Sequence, residues 1–144
     1  MADNERDRRR FAEYVQLQAG ERGFLSRADE KTLLQDGMTR FQIDYDEARW
    51  ILTGVAAEHE TALERELDRT IAAVLGRFAE TNNKITKAEF EDAVQIYRRL
   101  TRDALSEDAT KSKIKAIIVE RDWRPARTGW MRSRRWFSKV KQAG

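Results

Sequence analysis

Few residues in this chain have types suited to chemistry, and their spacing decides what that chemistry is. One histidine, His59, and no cysteine exclude a thiolate nucleophile, a disulfide and any multi-histidine metal site. His59 falls on the apolar phase of a helical segment, three residues from Ala62 and four from Leu63, the place of a packed or boundary residue. Around it Glu58, Glu60, Glu64, Glu66 and Asp68 are interleaved with Arg65 and Arg69. General acid–base work needs a pocket that shifts pKa values, whereas this interleaving reads as a solvated helix face. No phosphate-binding loop, dinucleotide fingerprint, HExxH helix or GxSxG elbow is present. The expectation is a protein that is not an enzyme and takes no cofactor and no metal.

The chemistry that stands out is at the C-terminal end. Residues 1–120 carry 20 Lys+Arg and 24 Asp+Glu, a net −4, while residues 121–144 carry eight cations against Asp122 alone, a net +7. Trp123, Trp130 and Trp136 lie among those cations. In helical projection Trp130, Ser133, Phe137 and Val140 share one face, and Arg132, Arg135 and Lys139 share another. Trp130, Trp136 and Phe137 are expected to anchor a partner, with Arg132, Arg134, Arg135 and Lys139 steering it. A basic segment of this kind suits an acidic protein groove or an anionic membrane surface. Nucleic acid fits least, because the body is acidic and no reading helix is recognisable. A second reading stays open: the same aromatics dock on the chain's own body and complete its core.

The elements that must position this tail are helices. Seven Gly and one Pro leave little material for the many turns of a sandwich or barrel. The first helix spans about Asn4 to Ala19, with Phe11, Tyr14, Val15 and Leu17 or Gln18 at helical spacing, and ends at Gly20 and Gly23. Capping boxes at Ser26–Asp29, Asp44–Glu47 and Thr86–Glu89, with Ser106 as a further cap, open four more helices. Their inner faces read as Leu33, Leu34, Met38 and Phe41; Ala48, Ile51, Leu52 and Val55; Phe90, Ala93, Val94, Tyr97 and Leu100; and Ile114, Ile117, Ile118 and Trp123. The apolar phase from residue 45 continues to Phe78. Gly54, together with a fresh cap at Thr61, predicts a break near residues 57–61, against the alternative of one helix over 45–79. Pro125 stops the last body helix at or before Arg124.

The expected fold is therefore all-α, a compact bundle of six or seven helices with no convincing strand. Residues 1–123 form the helical domain and residues 124–144 the basic tail. No apolar run approaches the roughly 20 residues that span a bilayer, and the charged start is not a secretory signal; a cytoplasmic protein is expected.

Two segments match at a separation of 60 residues, within an internal repeat of about 20–56 and 80–120: Gly23-Phe-Leu-Ser-Arg-Ala-Asp29 and Asn83-Lys-Ile-Thr-Lys-Ala-Glu89. Each has a residue suited to positive φ, an apolar anchor (Leu25 or Ile85), a capping hydroxyl and an acid at the third helical position.

Gly23-x-Leu-Ser-x-x-Asp-Glu30 followed by Phe41-x-Ile-Asp-x-Asp-Glu-Ala48 resembles the half-repeat of the TerB-like, tellurite-resistance helical family. Asn83-x-Ile-Thr-x-x-Glu-Phe90 and Leu105-Ser-Glu-Asp108 are similar, and together the two copies cover about residues 5–123. The resemblance implies an all-α module linked to stress response or to interaction with other proteins. Some members of that family bind metal through an acidic cluster, but Arg22 and Asn82 stand where the family pattern has an Asp. The same segments also resemble degenerate EF-hands. With Leu25 at loop position 8, Gln18, Gly20 and Arg22 occupy the ligand positions 1, 3 and 5; with Ile85 there, Phe78, Glu80 and Asn82 do. Asp29 and Glu89 fall at position 12. A cation in the first loop and Phe78 in the second predict weak calcium binding or none, so an EF-hand-type adaptor is the alternative to the TerB-like module.

Overall fold

A computed structural model describes residues 2–20 and 22–142. Among these the chain is all-α, with seven helices: α1 (Ala2–Ala19), α2 (Arg27–Thr39), α3 (Tyr45–Glu58), α4 (Glu64–Phe78), α5 (Lys87–Leu100), α6 (Glu107–Glu120) and the short α7 (Arg135–Ser138). The chain divides into two compact units, Met1–Glu66 and Leu67–Gly144, and the division falls inside α4.

The helix starts follow their caps. Ser26 Oγ accepts from Asp29 N–H at 3.1 Å, Asp44 Oδ1 from Glu47 N–H at 2.9 Å, and Ser106 Oγ from Ala109 N–H at 3.1 Å. Thr86 makes the reciprocal box with Glu89, whose carboxylate accepts the Thr86 N–H at 2.9 Å. Each such cap satisfies a backbone donor that the helix itself leaves orphaned, an effect of about 1 kcal/mol. Gly23 (φ 65°) and Asn83 (φ 60°) both take the left-handed conformation, as their types predict.

Periodicity did not foresee the strands. In the first unit β1 (Phe24–Leu25) pairs in parallel with β2 (Ala62–Leu63), and in the second β3 (Lys84–Ile85) pairs in parallel with β4 (Arg124–Pro125). Two residues are too few to show a two-residue alternation. The pairings have one register: Gly23 O accepts from Ala62 N–H at 2.9 Å, and Asn83 O from Arg124 N–H at 3.0 Å. The element order helix, strand, helix, helix, strand thus occurs twice, with equivalent residues offset by 60 up to α2 and α5 and by 62 from α3 and α6 onward. The break after α3 falls at 59–63, and Thr61 is not a helix cap: it is buried ahead of β2, and α4 opens at Glu64.

Each unit has its own core. The first packs Phe11 and Val15, Leu25, Leu33 and Leu34, Leu52 and Leu63; the second packs Ile71 and Leu75, Ile85, Phe90 and Val94, Ile114 and Ile118. Several inner faces are corrected by one residue. Ala19 is buried and Leu17 exposed, Gly37 buried and Met38 exposed, Thr101 buried and Leu100 exposed. His59 is also corrected: it is the exposed C-cap of α3, because the helix ends before its side chain can face the core.

Gly37 shows how the two cores fill the same space differently. A Cβ there would lie 2.9 Å from the Phe11 ring and 3.1 Å from Ala48 Cβ. Its counterpart 60 residues on is the fully buried Tyr97, and the counterpart of Phe11 is the smaller Ile71. At this pair of positions each unit has one aromatic ring, supplied from α1 in the first and α5 in the second. Gly37→Ala is therefore expected to destabilise by about 1–3 kcal/mol through overpacking, although helix propensity alone favours Ala by about 1 kcal/mol. Phe11→Leu in the same chain should recover part of the loss. Urea unfolding of the two variants checks the sign; a more stable Gly37→Ala would contradict the packing account.

Candidate interaction surface of the C-terminal segment

The chain leaves β4 at Pro125 and folds in two steps. First, Thr128 and Ser133 exchange backbone hydrogen bonds, with N–H to O distances of 2.8 and 2.9 Å. Gly129 (φ 76°) and Arg132 (φ 50°) close the turn between them, and Arg132 N–H donates to Gly129 O at 3.0 Å. Trp130 and Met131 sit at the tip, 92% and 74% exposed. Then α7 lies on the second unit. Trp136 packs edge-on against Phe90 with ring centroids 5.5 Å apart, and its indole N–H donates to Ala126 O at 2.9 Å. Phe137 packs edge-on against both rings.

Lys115 holds this helix in place. It is 8% exposed, and its ammonium donates to Phe137 O at 3.1 Å and Val140 O at 2.8 Å. Phe137 O also accepts the Val140 N–H at 3.1 Å, so the ammonium adds a side-chain cap to the carboxyl end of this single helical turn. The same ammonium lies 5.0 Å from the centre of the Phe137 ring, within cation–π range.

The residues expected to bind a partner are thus separated. Trp130, Arg132, Arg135 and Lys139 are exposed; Trp136 and Phe137 are half-buried on α5 and α6; and Arg134 is half-buried with its Nε unpartnered. The single-helix projection over 130–140 is corrected, because two positive-φ residues make 128–133 a turn and leave only Arg135–Ser138 helical.

The acidic run around His59 is corrected too, since parts of it are structural. Glu64 accepts the Arg27 N–H at the start of α2 at 2.8 Å. Arg65 donates to the buried Glu30 at 3.0 Å. Asp68 accepts from the Tyr97 hydroxyl at 2.8 Å and from Lys113 at 3.2 Å. Their partners are 29 to 45 residues away in sequence, beyond the reach of helical periodicity. At the first EF-hand-like loop Arg22 pairs with Asp29 at 3.5 Å, and at the second Glu89 is committed to its cap. Among the described residues no group of three or more Asp, Glu and His side chains is placed to hold a metal ion, and no helix is long and apolar enough to cross a membrane.

In comparisons with protein-family models, curated proteins and solved structures, nothing matches the chain. The TerB-like and EF-hand resemblances therefore stand on the short motifs alone.

Tyr14 supplies a pH-sensitive contact in the first unit. Its hydroxyl donates to Asp36 at 2.7 Å, and that hydrogen bond to a carboxylate, followed by burial, raises its pKa above the ordinary value of 10.0. The contact favours folding below that ordinary value, and the contribution is lost as pH rises through the raised, folded-state pKa. Tyr14→Phe should flatten the alkaline loss of stability, as read by urea midpoints against pH. For the tail, Trp136→Ala should cost about 2–3 kcal/mol, below the value for a fully buried tryptophan, while Trp130→Ala should change stability by less than about 0.5 kcal/mol. Thermal melts showing equal losses would contradict the division of the segment into a docked part and a presented part.

Proposed function

We propose that the protein is a non-enzymatic helical interaction module that binds a protein partner through the turn at Trp130. The observation that carries this reading is the exposure of Trp130 and Met131 at the tip of a turn closed by hydrogen bonds on one side and followed by a docked helix on the other. An apolar pair pinned in water loses little conformational entropy on binding, which is the property of an interface anchor. Arg132, Arg135 and Lys139 lie exposed beside it and supply long-range attraction to an acidic surface. Trp136 and Phe137 then serve to hold the presenting turn. The TerB-like motifs support the same class of role, linked to stress response; an EF-hand-type adaptor would use the turn in the same way.

Photo-crosslinking from position 130, with the exposed position 17 on α1 as control, tests the reading. A partner should be captured from position 130 only, and Trp130→Ser should weaken its binding by about 30-fold, the loss of a tryptophan hot spot. Serine at Arg132, Arg135 and Lys139 should weaken it more at low salt than at high salt. Equal capture from both positions, or unchanged affinity in Trp130→Ser, would contradict the proposal. Trp130-dependent binding to phosphatidylserine vesicles with no protein captured would assign the turn to an anionic membrane instead.

A further inference from the structure

The internal repeat compares two equivalent faces, one covered and one open. In the second unit Trp136 covers Phe90 of α5 and lies beside Asp108 and Lys111 of α6. The repeat offsets carry those three residues onto Glu30, Asp46 and Arg49 of the first unit, of which Glu30 and Arg49 line a common groove. There, between α2 and α3, the corresponding place is a groove of about 390 Å³ whose lining includes Glu30, Lys31, Leu34, Met38, Tyr45 and Arg49. Met38 and Tyr45 are among the exposed large apolar side chains of the chain.

The floor and rim of the groove differ from the covered face in one respect that identifies an occupant. Where the second unit has the apolar Phe90, the first has the buried Glu30, already neutralised by Arg65 at 3.0 Å. Lys31 and Arg49 at the rim make no ion pair among the described residues. With Arg27 and Arg65 also lining it, the groove carries four cations around one paired acid. A basic segment such as this chain's own tail would be repelled there. We infer that the groove between α2 and α3 binds an acidic peptide segment of another protein, one carrying an aromatic residue. The aromatic would lie over Leu34 and Met38 as Trp136 lies over Phe90, and its flanking carboxylates would meet Lys31 and Arg49. None of its lining residues belongs to the Trp130 turn.

The test uses the full chain and a fluorescein-labelled peptide with a Trp-Phe pair between runs of glutamate, followed by fluorescence anisotropy. Saturable binding in the micromolar range is expected. It should weaken about tenfold or more in Lys31→Glu/Arg49→Glu, a change of about 1.4 kcal/mol, and remain unchanged in Trp130→Ser. A lysine-for-glutamate version of the peptide should not bind. Met38→Ser, at an exposed edge, serves as the second variant should the charge reversal disturb folding by circular dichroism, and it should also weaken binding. Absence of saturation, or equal affinity in the groove variants, overturns the proposal. So does loss of binding in Trp130→Ser, which would place the peptide on the turn. Self-association of the wild-type chain that is abolished by Lys31→Glu/Arg49→Glu would make the occupant a second copy and overturn it equally.

Discussion

An ammonium withdrawn from water must find oxygen atoms, and Lys115 finds them on the backbone of the C-terminal segment. Leaving a buried charge unsatisfied costs several kcal/mol, so this contact ties α6 to the end of α7. With α7 fixed, Trp136 is set against Phe90 and its indole N–H against Ala126. The Thr128–Ser133 pair is then held from both sides, by β4 before it and α7 after it. Trp130 stands in solvent as the outcome of these contacts, because a turn of this length with both ends secured gives its tip residues nothing to pack against.

The duplicated architecture explains why each unit needs a different closure. The residue following the third helical position is Glu30 in one copy and Phe90 in the other. A carboxylate at that place recruits a guanidinium from the chain just beyond β2, Arg65, to satisfy it. A phenyl ring there recruits apolar cover, supplied by Trp136 and Phe137 from the chain beyond β4. The same alternation appears deeper in the core, where Phe11 with Gly37 and Ile71 with Tyr97 supply one ring each from opposite elements. Repeats can diverge this far because packing constrains total volume and polar satisfaction more than the identity of any one residue.

Local chemistry made much of the fold legible in the sequence. Ser26, Asp44, Thr86 and Ser106 announce helix starts through contacts three residues long, and Gly23 and Asn83 announce their turns through backbone freedom alone. What was not legible depended on partners distant in the chain. Asp68 reads as a surface acid until Tyr97 and Lys113 are brought to it, and Met38 and Gly37 exchange roles because the Phe11 ring occupies the space beside α2. In the candidate site the basic and aromatic composition singled out residues 124–144, which the fold divides into a docked helix and an exposed turn. Placing Trp130 and Phe137 on one helical face failed at Gly129 and Arg132, where positive φ breaks the helix that the projection assumed. Lys115 gave no local signal, since a lysine within a helical stripe is ordinarily a solvated residue.

The division of one short segment into a docked part and a presented part can be read directly from its two indole groups. Hydrogen exchange of the tryptophan side-chain N–H protons, followed by NMR on the intact chain, compares them in one experiment. The account predicts that the Trp136 indole N–H, bonded to Ala126 O, exchanges only through opening of the segment. The Trp130 indole N–H should exchange at the rate of an unstructured peptide. Equal and unprotected exchange at both positions would contradict it, and so would protection of Trp130.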